Sequence, residues 1–252
     1  MRVAIVSTET TGLTPVDEPV SIGLLLVEVA PRAGSLVREI TDYYGSQEPT
    51  VPISEAATGM HGLTAEMLRG QRFDVGAIRA IVEDADVLVA HGAEFNVRML
   101  EKVLPEVQRK HWRCSVRQVR WSQYFHAPNH KLDTLCEHLR IFRPRPQIAL
   151  DDCLALSKLL FQQMGAVGQA TPMGFLLAQP DYVPRTVVHG AAASPANAAP
   201  TAPVSPQRDG GPGWQPQVDK QHDSASRGLV LAAVVLLLIA AALLWPDMMP
   251  RW

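Results

Sequence analysis

The sequence predicts an α/β domain with a mixed sheet, followed by a linker and a single membrane-spanning helix. Three segments typical of strands come first in the chain, before any segment typical of a helix. A fourth strand then follows among segments with helical periodicity. This order of strands and helices is typical of an α/β protein with a mixed sheet. An uncharged apolar segment near the C-terminus supplies the membrane-spanning helix.

Four strands are predicted from short apolar runs that are bounded by turn residues. Residues 3–6 form a continuous apolar run, as expected of a buried central strand. Residues 20–29 and 36–44 predict two further strands, joined by a hairpin-like connection at 31–34. Residues 87–90 predict a fourth, shorter strand.

Helices are predicted where apolar residues recur three or four positions apart. A first helix begins at Ser54 and stops at Gly59, and a second covers 64–68 with Thr64 available as its cap. Longer helical patterns cover the segments 74–83, 95–103, 132–139 and 148–160.

Net charge and cysteine content exclude several classes of protein. The formal net charge is −2, so nucleic-acid binding would depend on local basic patches rather than on a global field. The three cysteines, Cys114, Cys136 and Cys153, are widely spaced and form no C-x-x-C pair. This spacing argues against a disulfide framework and against a zinc site, and it fits buried free thiols in a reducing compartment.

Composition divides the chain into four regions. These are a folded domain at 1–178, a Pro/Ala/Gly-rich disordered linker at 179–226, a transmembrane helix at 227–246 and a short tail at 247–252. The linker composition cannot bury enough apolar area to offset the entropy lost on ordering.

The apolar segment 228–245 carries no charge, and as a helix it would be ~27 Å long, close to the thickness of a thin bilayer. A buried core helix is the alternative, disfavoured because a linker precedes the segment. The apolar run at the N-terminus is too short for a signal peptide. Basic residues at 220 and 227 precede the span and one at 251 follows it. We therefore expect a tail-anchored, single-pass protein of the cytoplasmic membrane with its N-terminal domain in the cytoplasm.

Five sequence motifs occur in order within residues 1–165. They are STETTGL at 7–13, the segment 52–68 that contains MHGLT, VAHGAEFN at 89–96, WRCS with HKLDTL between 112 and 135, and ALDDC at 149–153. In this order and at these separations they resemble the motifs of the DEDDh 3′–5′ exonucleases, which include the bacterial polymerase III proofreading subunit and exodeoxyribonuclease X. The resemblance implies a ribonuclease H-like exonuclease fold with a mixed five-stranded sheet flanked by helices.

The resemblance also implies which positions carry the chemistry. In this family four carboxylates hold two divalent ions, and a histidine takes a proton from the attacking water. Glu9 and Asp152 stand at two carboxylate positions and are the expected metal ligands, for Mg²⁺ or Mn²⁺ bound weakly if at all. Ser7, Asn96 and Gln147 stand at the other two carboxylate positions and at the base. None of these three supplies a carboxylate or a base that titrates near neutral pH, so little hydrolysis is expected.

Binding of a single-stranded nucleic-acid 3′ end is assigned by the same resemblance to Thr10, Thr11, Gly12, Leu13, His61 and Phe95. His91 is expected to be a partly buried structural residue of its motif. Compensation for the missing groups could come from neighbouring side chains, namely Asp151, Glu94, His126 and His130. It is disfavoured for Asp151, because adjacent helical residues point about 100° apart.

Three functions follow as hypotheses. The first is a membrane-tethered protein of the exonuclease family that binds nucleic-acid 3′ ends or nucleotides with hydrolysis lost or strongly impaired. The second is an active metal-dependent 3′–5′ exonuclease with a rearranged site. The third is a protein-interaction module at the inner membrane, whose contact surface would be the basic cluster Arg109, Lys110, His111, Arg113, Arg117 and Arg120. A solvated helix face is the simpler interpretation of that cluster.

Overall fold

The computed structural model describes residues 1–145, 148–164 and 170–183. The strands are β1 (Arg2–Thr10), β2 (Pro19–Val29), β3 (Leu36–Ser46), β4 (Val87–Ala90) and β5 (His111–Cys114). The helices are α1 (Glu55–His61), α2 (Ala65–Leu68), α3 (Val75–Asp84), α4 (Ala93–Glu101), α5 (Ser115–Gln118), α6 (Trp121–Phe125), α7 (Leu132–His138), α8 (Ala149–Leu160) and α9 (Pro172–Leu177). A 3₁₀ turn at Pro105–Arg109 joins α4 to β5.

The five strands form one mixed sheet in the order β3-β2-β1-β4-β5. The strand pairs β1–β2 and β2–β3 are antiparallel, whereas β1–β4 and β4–β5 are parallel. This confirms the predicted mixed five-stranded sheet. Because β1 and β4 are parallel neighbours, their carboxyl ends lie at the same edge of the sheet, where loops bring functional side chains together in open α/β sheets.

Side chains of β1 alternate between two cores on opposite faces of the sheet. Val3 and Ile5 pack in the core that contains residues of α7, α8 and α9. Ala4 and Val6 pack in the core that contains residues of α3 and α4. The alternation continues beyond the apolar run, so it directs Glu9 toward the α8 face and the even-numbered residues toward α4.

Gly23 fixes the distance between β2 and the start of α8. A Cβ atom at Gly23 would lie 2.3 Å from the backbone carbon of Ala149, so only glycine permits this approach. The Cys153 thiol donates a hydrogen bond to the Gly23 carbonyl at 3.2 Å. The first turn of α8, which carries two aspartates, is therefore held directly against the sheet.

Most predicted elements have bounds within two residues of the observed ones, and two of the differences bear on the site. The first strand does not end with the apolar run but continues to Thr10, because pairing with β2 carries it through the first motif. Helix α1 does not stop at Gly59 but ends at His61. Ser54 caps its start by accepting from the Ala57 N–H, and Gly62 ends it at φ 72°, the left-handed conformation that glycine adopts without strain.

The basic cluster is not a solvated helix face, since strand β5 runs through it. Arg113 is buried, donates to the Leu176 carbonyl at 2.8 Å and pairs with Asp181. Lys110 donates to the carbonyl of Ala85. Periodicity did not reveal β5 because the strand has only four residues, of which two are His and Arg. At least two of the six cations therefore stabilise the fold.

The folded domain extends a few residues beyond the predicted boundary at 178. The Tyr182 N–H donates to the Trp112 carbonyl of β5 at 2.8 Å, and Gln118 donates to the Pro180 carbonyl at 2.9 Å. All three cysteines are free and buried, as predicted. No helix in the described ranges is long and apolar enough to cross a membrane. The predicted span at 228–245 and most of the predicted linker lie outside those ranges.

Candidate functional site

The loop after β1 is an ordered turn built around Asp17. The Asp17 carboxylate accepts hydrogen bonds from the Thr11 hydroxyl at 2.8 Å and from the Thr14 N–H at 2.7 Å. The Thr14 hydroxyl also donates to this carboxylate, at 2.6 Å. These hydrogen bonds, of which the one from the Thr14 hydroxyl has the largest effect, hold the pKa of Asp17 below its ordinary value. The Thr10 hydroxyl donates to the Gly12 carbonyl at 2.6 Å. Residues 10–17 are therefore fixed by their own side chains.

Arg98 of α4 and Lys102, which directly follows the helix, attach this loop to α4. Lys102 donates to the Pro15 carbonyl at 2.7 Å, and Arg98 donates to the Leu13 carbonyl at 3.2 Å. The Arg98 guanidinium also lies 5.5 Å from the centre of the Phe95 ring. Leu13 and Phe95, both predicted to bind substrate, are thus linked through one arginine. The Leu13 side chain is left 79% exposed.

His61 links the same loop to α1. Its Nε2–H donates to the Thr10 carbonyl at 3.1 Å, and its Nδ1 accepts from the Leu63 N–H at 3.0 Å. Burial lowers the pKa of His61, so the neutral tautomer that makes both bonds is the stable form. The Thr11 carbonyl in addition accepts from the Ser54 N–H at 2.9 Å. The predicted binding residues of the first and second motifs are therefore brought together.

Glu9 lies near Asp152 at the α8 face of β1. Both side chains are buried. Burial, followed by the negative charge of Asp152, raises the pKa of Glu9 to about 8, and the positive charge of Arg143 opposes this shift. At pH 7 the Glu9 carboxyl is mostly protonated. The two carboxylates that the sequence retains are therefore near enough for the charge of one to act on the other.

Arg143 is the cation of this site, and sequence reasoning did not identify it. Its Nε donates to Asp152 Oδ1 at 2.7 Å, its Nη2 donates to the same oxygen, and its Nη1 pairs with Asp133. The Arg143 side chain is only 4% exposed. The guanidinium therefore joins the first turn of α7 to the first turn of α8 across the site.

Neither Ser7 nor Asn96 supplies a carboxylate to this pair. Ser7 lies on β1 opposite Gly23 of β2, whose carbonyl accepts a hydrogen bond from the Cys153 thiol at 3.2 Å, and burial raises the pKa of that thiol. Asn96 is buried, with its oxygen accepting from the Thr8 hydroxyl and its nitrogen donating to the Gly92 carbonyl, both at 3.1 Å. Gln147, at the expected position of the base, lies outside the described residues.

Neighbouring acidic side chains have partners of their own. Asp151 is buried and pairs with the exposed Arg145 at 2.8 Å, whereas Asp152 pairs with Arg143, so the adjacent aspartates diverge as expected on a helix. Glu94 accepts from the Tyr182 hydroxyl at 3.2 Å.

His91 is partly buried and serves as a structural bridge. Its Nε2–H donates to the His130 carbonyl at 2.7 Å, and its Nδ1 lies 2.6 Å from the Ser115 hydroxyl. Burial lowers the pKa of His91 to about 4, so the ring is neutral at pH 7. His91 is therefore a structural residue that links Ser115 to the His130 carbonyl, as the sequence predicted. His126 ends α6 in the left-handed conformation.

The arrangement does not fit two divalent ions. Within the described parts of the chain, no group of three or more His, Cys, Asp or Glu side chains is placed to hold a metal ion. A guanidinium lies on Asp152, and the oxygen of Asn96 accepts from Thr8. Binding of a single ion by Glu9 and Asp152 stays a prediction.

The charge pattern of the sequence contains a signal that could have indicated Arg143. The segment between α7 and α8 carries three arginines, at 140, 143 and 145, and the first turn of α8 carries two aspartates, at 151 and 152. Opposite charges at this separation favour pairing across the turn. Which arginine would be buried depends on the backbone and does not follow from the sequence.

Known structures share the fold at low sequence identity. The zinc-bound exonuclease I–single-stranded DNA complex of E. coli matches with 11% identity and a TM-score of 0.53, over 64% of this chain and 40% of that one. The E. coli exonuclease I complex with a dT13 oligonucleotide matches with 12% identity and a TM-score of 0.52, over 63% of this chain and 40% of that one. Exonuclease X in complex with 5′ overhanging duplex DNA matches with 21% identity and a TM-score of 0.46, over 63% of this chain and 89% of that one. This chain thus matches about two fifths of the exonuclease I chains.

A comparison with curated proteins found no match. The model of the RNase T family, described as exonuclease, matches residues 6–160, which is more than half of the chain. That range includes the first motif, both carboxylates of the Glu9–Asp152 pair and the whole sheet apart from the start of β1. Members of this family normally use divalent metal ions. The chain therefore belongs to the RNase T exonuclease family, of the DEDDh 3′–5′ type.

Proposed function

We propose that this chain binds the 3′ end of a single-stranded nucleic acid and hydrolyses it poorly or not at all. One observation carries the proposal. The binding loop is held in place by its own hydrogen bonds, while Asp152, one of the two retained carboxylates, is paired with a buried arginine. The E. coli exonuclease I structures that share the fold contain single-stranded DNA or dT13, which supports this substrate class.

Binding is supported by the shape and chemistry of the loop surface. Leu13 is largely exposed at the tip of an ordered loop, and Phe95 lies beside it with a cation over its ring. Apolar and aromatic side chains on a fixed surface are what unpaired bases stack on, at about 1–3 kcal/mol per base. The His61 link keeps this surface ordered before any ligand arrives, so less ordering entropy is lost on binding.

Weak hydrolysis is supported by the charges around the reacting position. Loss of a general base alone lowers a rate by about 10²–10⁴-fold. Here Gln147 stands at the base, and Ser7 and Asn96 replace two metal-binding carboxylates. The remaining Asp152 is engaged by Arg143. Effects of residues that act as a unit do not add, but each of these substitutions acts in the same direction.

The decisive test combines binding and cleavage with end-labelled single-stranded DNA. We expect salt-sensitive binding by the wild-type protein, with no Mn²⁺-dependent nucleotide release above that of Asp152→Ala. Robust release that Asp152→Ala abolishes would instead establish an active enzyme with a rearranged site. Absence of any salt-sensitive binding would favour a protein-interaction module.

Restoration of the lost groups tests the same proposal from the other direction. The triple change Ser7→Asp, Asn96→Asp and Gln147→His, made together with Arg143→Gln so that Asp152 is released from its ion pair, is expected to introduce nuclease activity that the parent lacks. Activity in the parent equal to that of this variant would contradict the proposal.

We further propose that residues 228–245 tether the domain to the cytoplasmic membrane. The support is the hydropathy and length of that uncharged segment. The full chain is expected in the membrane fraction after carbonate washing, and a chain that ends at residue 226 in the soluble fraction. Equal partition of the two chains would contradict the tether.

A further inference from the structure

A buried arginine lies where this protein family uses metal-borne positive charge. Arg143 places two N–H donors on one Asp152 oxygen and a third on Asp133. Its charge also acts on Glu9. All three carboxyl groups around the guanidinium therefore interact with one protein-borne cation.

We infer that the Arg143 guanidinium takes over the charge-neutralising role of the divalent cations, as a built-in counter-ion for Asp152 and Asp133 beside Glu9. The site is consequently independent of metal, contrary to the sequence-based prediction of a single bound ion, and Arg143 itself excludes a divalent ion from it. The inference concerns the state of the unliganded protein and does not require that nucleic acid binds.

The geometry favours a permanent cation over an incidental surface pair. A guanidinium keeps its charge at any pH at which the protein is folded, and its planar fork fits carboxylate oxygens. The Arg143 side chain is 4% exposed and that of Asp152 is 8% exposed, so water screens their attraction little. Displacing the guanidinium would leave a buried positive charge without its partner, which is strongly unfavourable.

A divalent ion would have to compete directly with this arrangement. Mg²⁺ and Mn²⁺ bind through carboxylate oxygens, and Asp152 Oδ1 already accepts two hydrogen bonds from Arg143. An ion placed beside the guanidinium would meet a like charge in a region that is largely shielded from water. Metal binding and the Arg143 pair therefore compete for the same carboxylate.

Arg145 offers a matched comparison two residues away. It pairs with Asp151, also buried in the first turn of α8, but the Arg145 side chain is 69% exposed. Its removal leaves Asp151 without that pair yet does not touch the Glu9–Asp152 site. A variant at Arg145 thus controls for loss of one positive charge from the same loop.

The test is an Mn²⁺ titration of the full chain after removal of metals with EDTA. The variants are Arg143→Gln, Arg143→Lys and Arg145→Gln, and the readouts are the melting temperature and free Mn²⁺ measured by electron paramagnetic resonance. We expect the wild-type protein, Arg143→Lys and Arg145→Gln to take up no Mn²⁺ and to melt at the same temperature with and without it. Arg143→Gln should melt lower in EDTA, take up Mn²⁺, and regain about 5–10 °C at an Mn²⁺ concentration 100-fold above its Kd.

Two results would overturn the inference. The first is Mn²⁺ uptake by the wild-type protein that Asp152→Asn removes, since the site would then hold metal beside Arg143. The second is a folded Arg143→Gln variant that takes up no Mn²⁺, since Arg143 would then not be what excludes the ion. If Arg143→Gln does not fold, titrations of the wild-type protein and of Arg143→Lys decide, and uptake by either contradicts the inference.

Discussion

Two adjacent aspartates of α8 should differ sharply in their contribution to stability. Asp151 and Asp152 are both buried in the first turn of the helix and each pairs with one arginine. Each also gains about 0.3–1 kcal/mol from the helix dipole, so this contribution cancels in a comparison. The two positions differ in the burial of the partner, which is deep for Arg143 and slight for Arg145.

Asp152→Asn is expected to lower the free energy of unfolding by about 2–4 kcal/mol. Removing one member of a buried pair costs about 3–5 kcal/mol, because the remaining charge is left uncompensated. Asp133 still pairs with Arg143, but its side chain is 65% exposed, and such exposed partners contribute about 0–1 kcal/mol. Asp151→Asn leaves Arg145 in water, so we expect a loss of about 1 kcal/mol or less.

The measurement is urea denaturation of both variants and the wild-type protein at pH 6. At this pH Glu9, whose pKa lies at about 8, is protonated in the wild-type protein. Asp152→Asn removes a negative charge that raises this pKa, so both variants are also compared in a Glu9→Gln background, in which no new charge can appear beside Arg143. A difference of about 2 kcal/mol between the variants corresponds to about 4–8 °C in melting temperature. Equal losses for Asp151→Asn and Asp152→Asn would refute the argument that burial of the arginine sets the energy.

Three further predictions test the pKa of Glu9, the packing of α8 and the loop contact of His61. Folded Glu9 keeps its proton up to about pH 8 and the unfolded chain loses it near 4.5, so the folded state binds more protons between these values. The free energy of unfolding should therefore fall by about 3–5 kcal/mol as the pH rises through this window. Glu9→Gln should flatten the curve of melting temperature against pH. An unchanged slope in that variant would contradict the shifted pKa. Gly23→Ala forces a Cβ onto the α8 backbone and should lower the free energy of unfolding, measured in urea, by at least about 1–3 kcal/mol. Gly59→Ala, with no atom near its Cβ, should be neutral or stabilising. Equal effects of the two changes would count against the close approach of β2 and α8. His61→Ala removes the bond to the Thr10 carbonyl and should cost about 1–3 kcal/mol and weaken single-stranded DNA binding by fluorescence anisotropy, while unchanged affinity would argue against a binding role for the loop.

The sequence predicted the parts of the fold that depend on local pattern. Thr64 caps α2 by accepting from the Met67 N–H, as its position before a short helical pattern predicts. The strand at Val87–Ala90 has the predicted bounds, because a short buried strand is a continuous apolar run. The prediction that α1 stops at Gly59 was wrong, because a glycine inside a helix is only modestly unfavourable when caps fix both ends of the helix.

Pairing of charges between distant elements could not be predicted from sequence patterns. Arg143 lies nine residues from Asp152 along the chain, and its burial follows from its contacts with Asp133 of α7 and Asp152 of α8. Asn96 occupies the expected motif position, but its hydrogen bond to Thr8 depends on the side-chain alternation of β1. The sequence therefore indicated which groups differ from the family motifs, whereas the pairing of Arg143 with Asp152 is evident only from the structure.

We propose that the substituted carboxylate positions and Arg143 belong to a single electrostatic arrangement. In the family, four carboxylates are balanced by two divalent cations. Here Ser7 and Asn96 remove two negative charges, and Arg143 supplies one positive charge against Glu9 and Asp152. The remaining negative charge is neutralised by a proton, since the pKa of Glu9 lies at about 8. Either change alone would leave a charge buried without a counter-charge, which is strongly unfavourable. Glu9, Asp152 and Arg143 together therefore carry no net charge at pH 7, and the largely exposed Asp133 carboxylate adds the one further charge beside them. Such a site should attract divalent metals much less strongly than four carboxylates would.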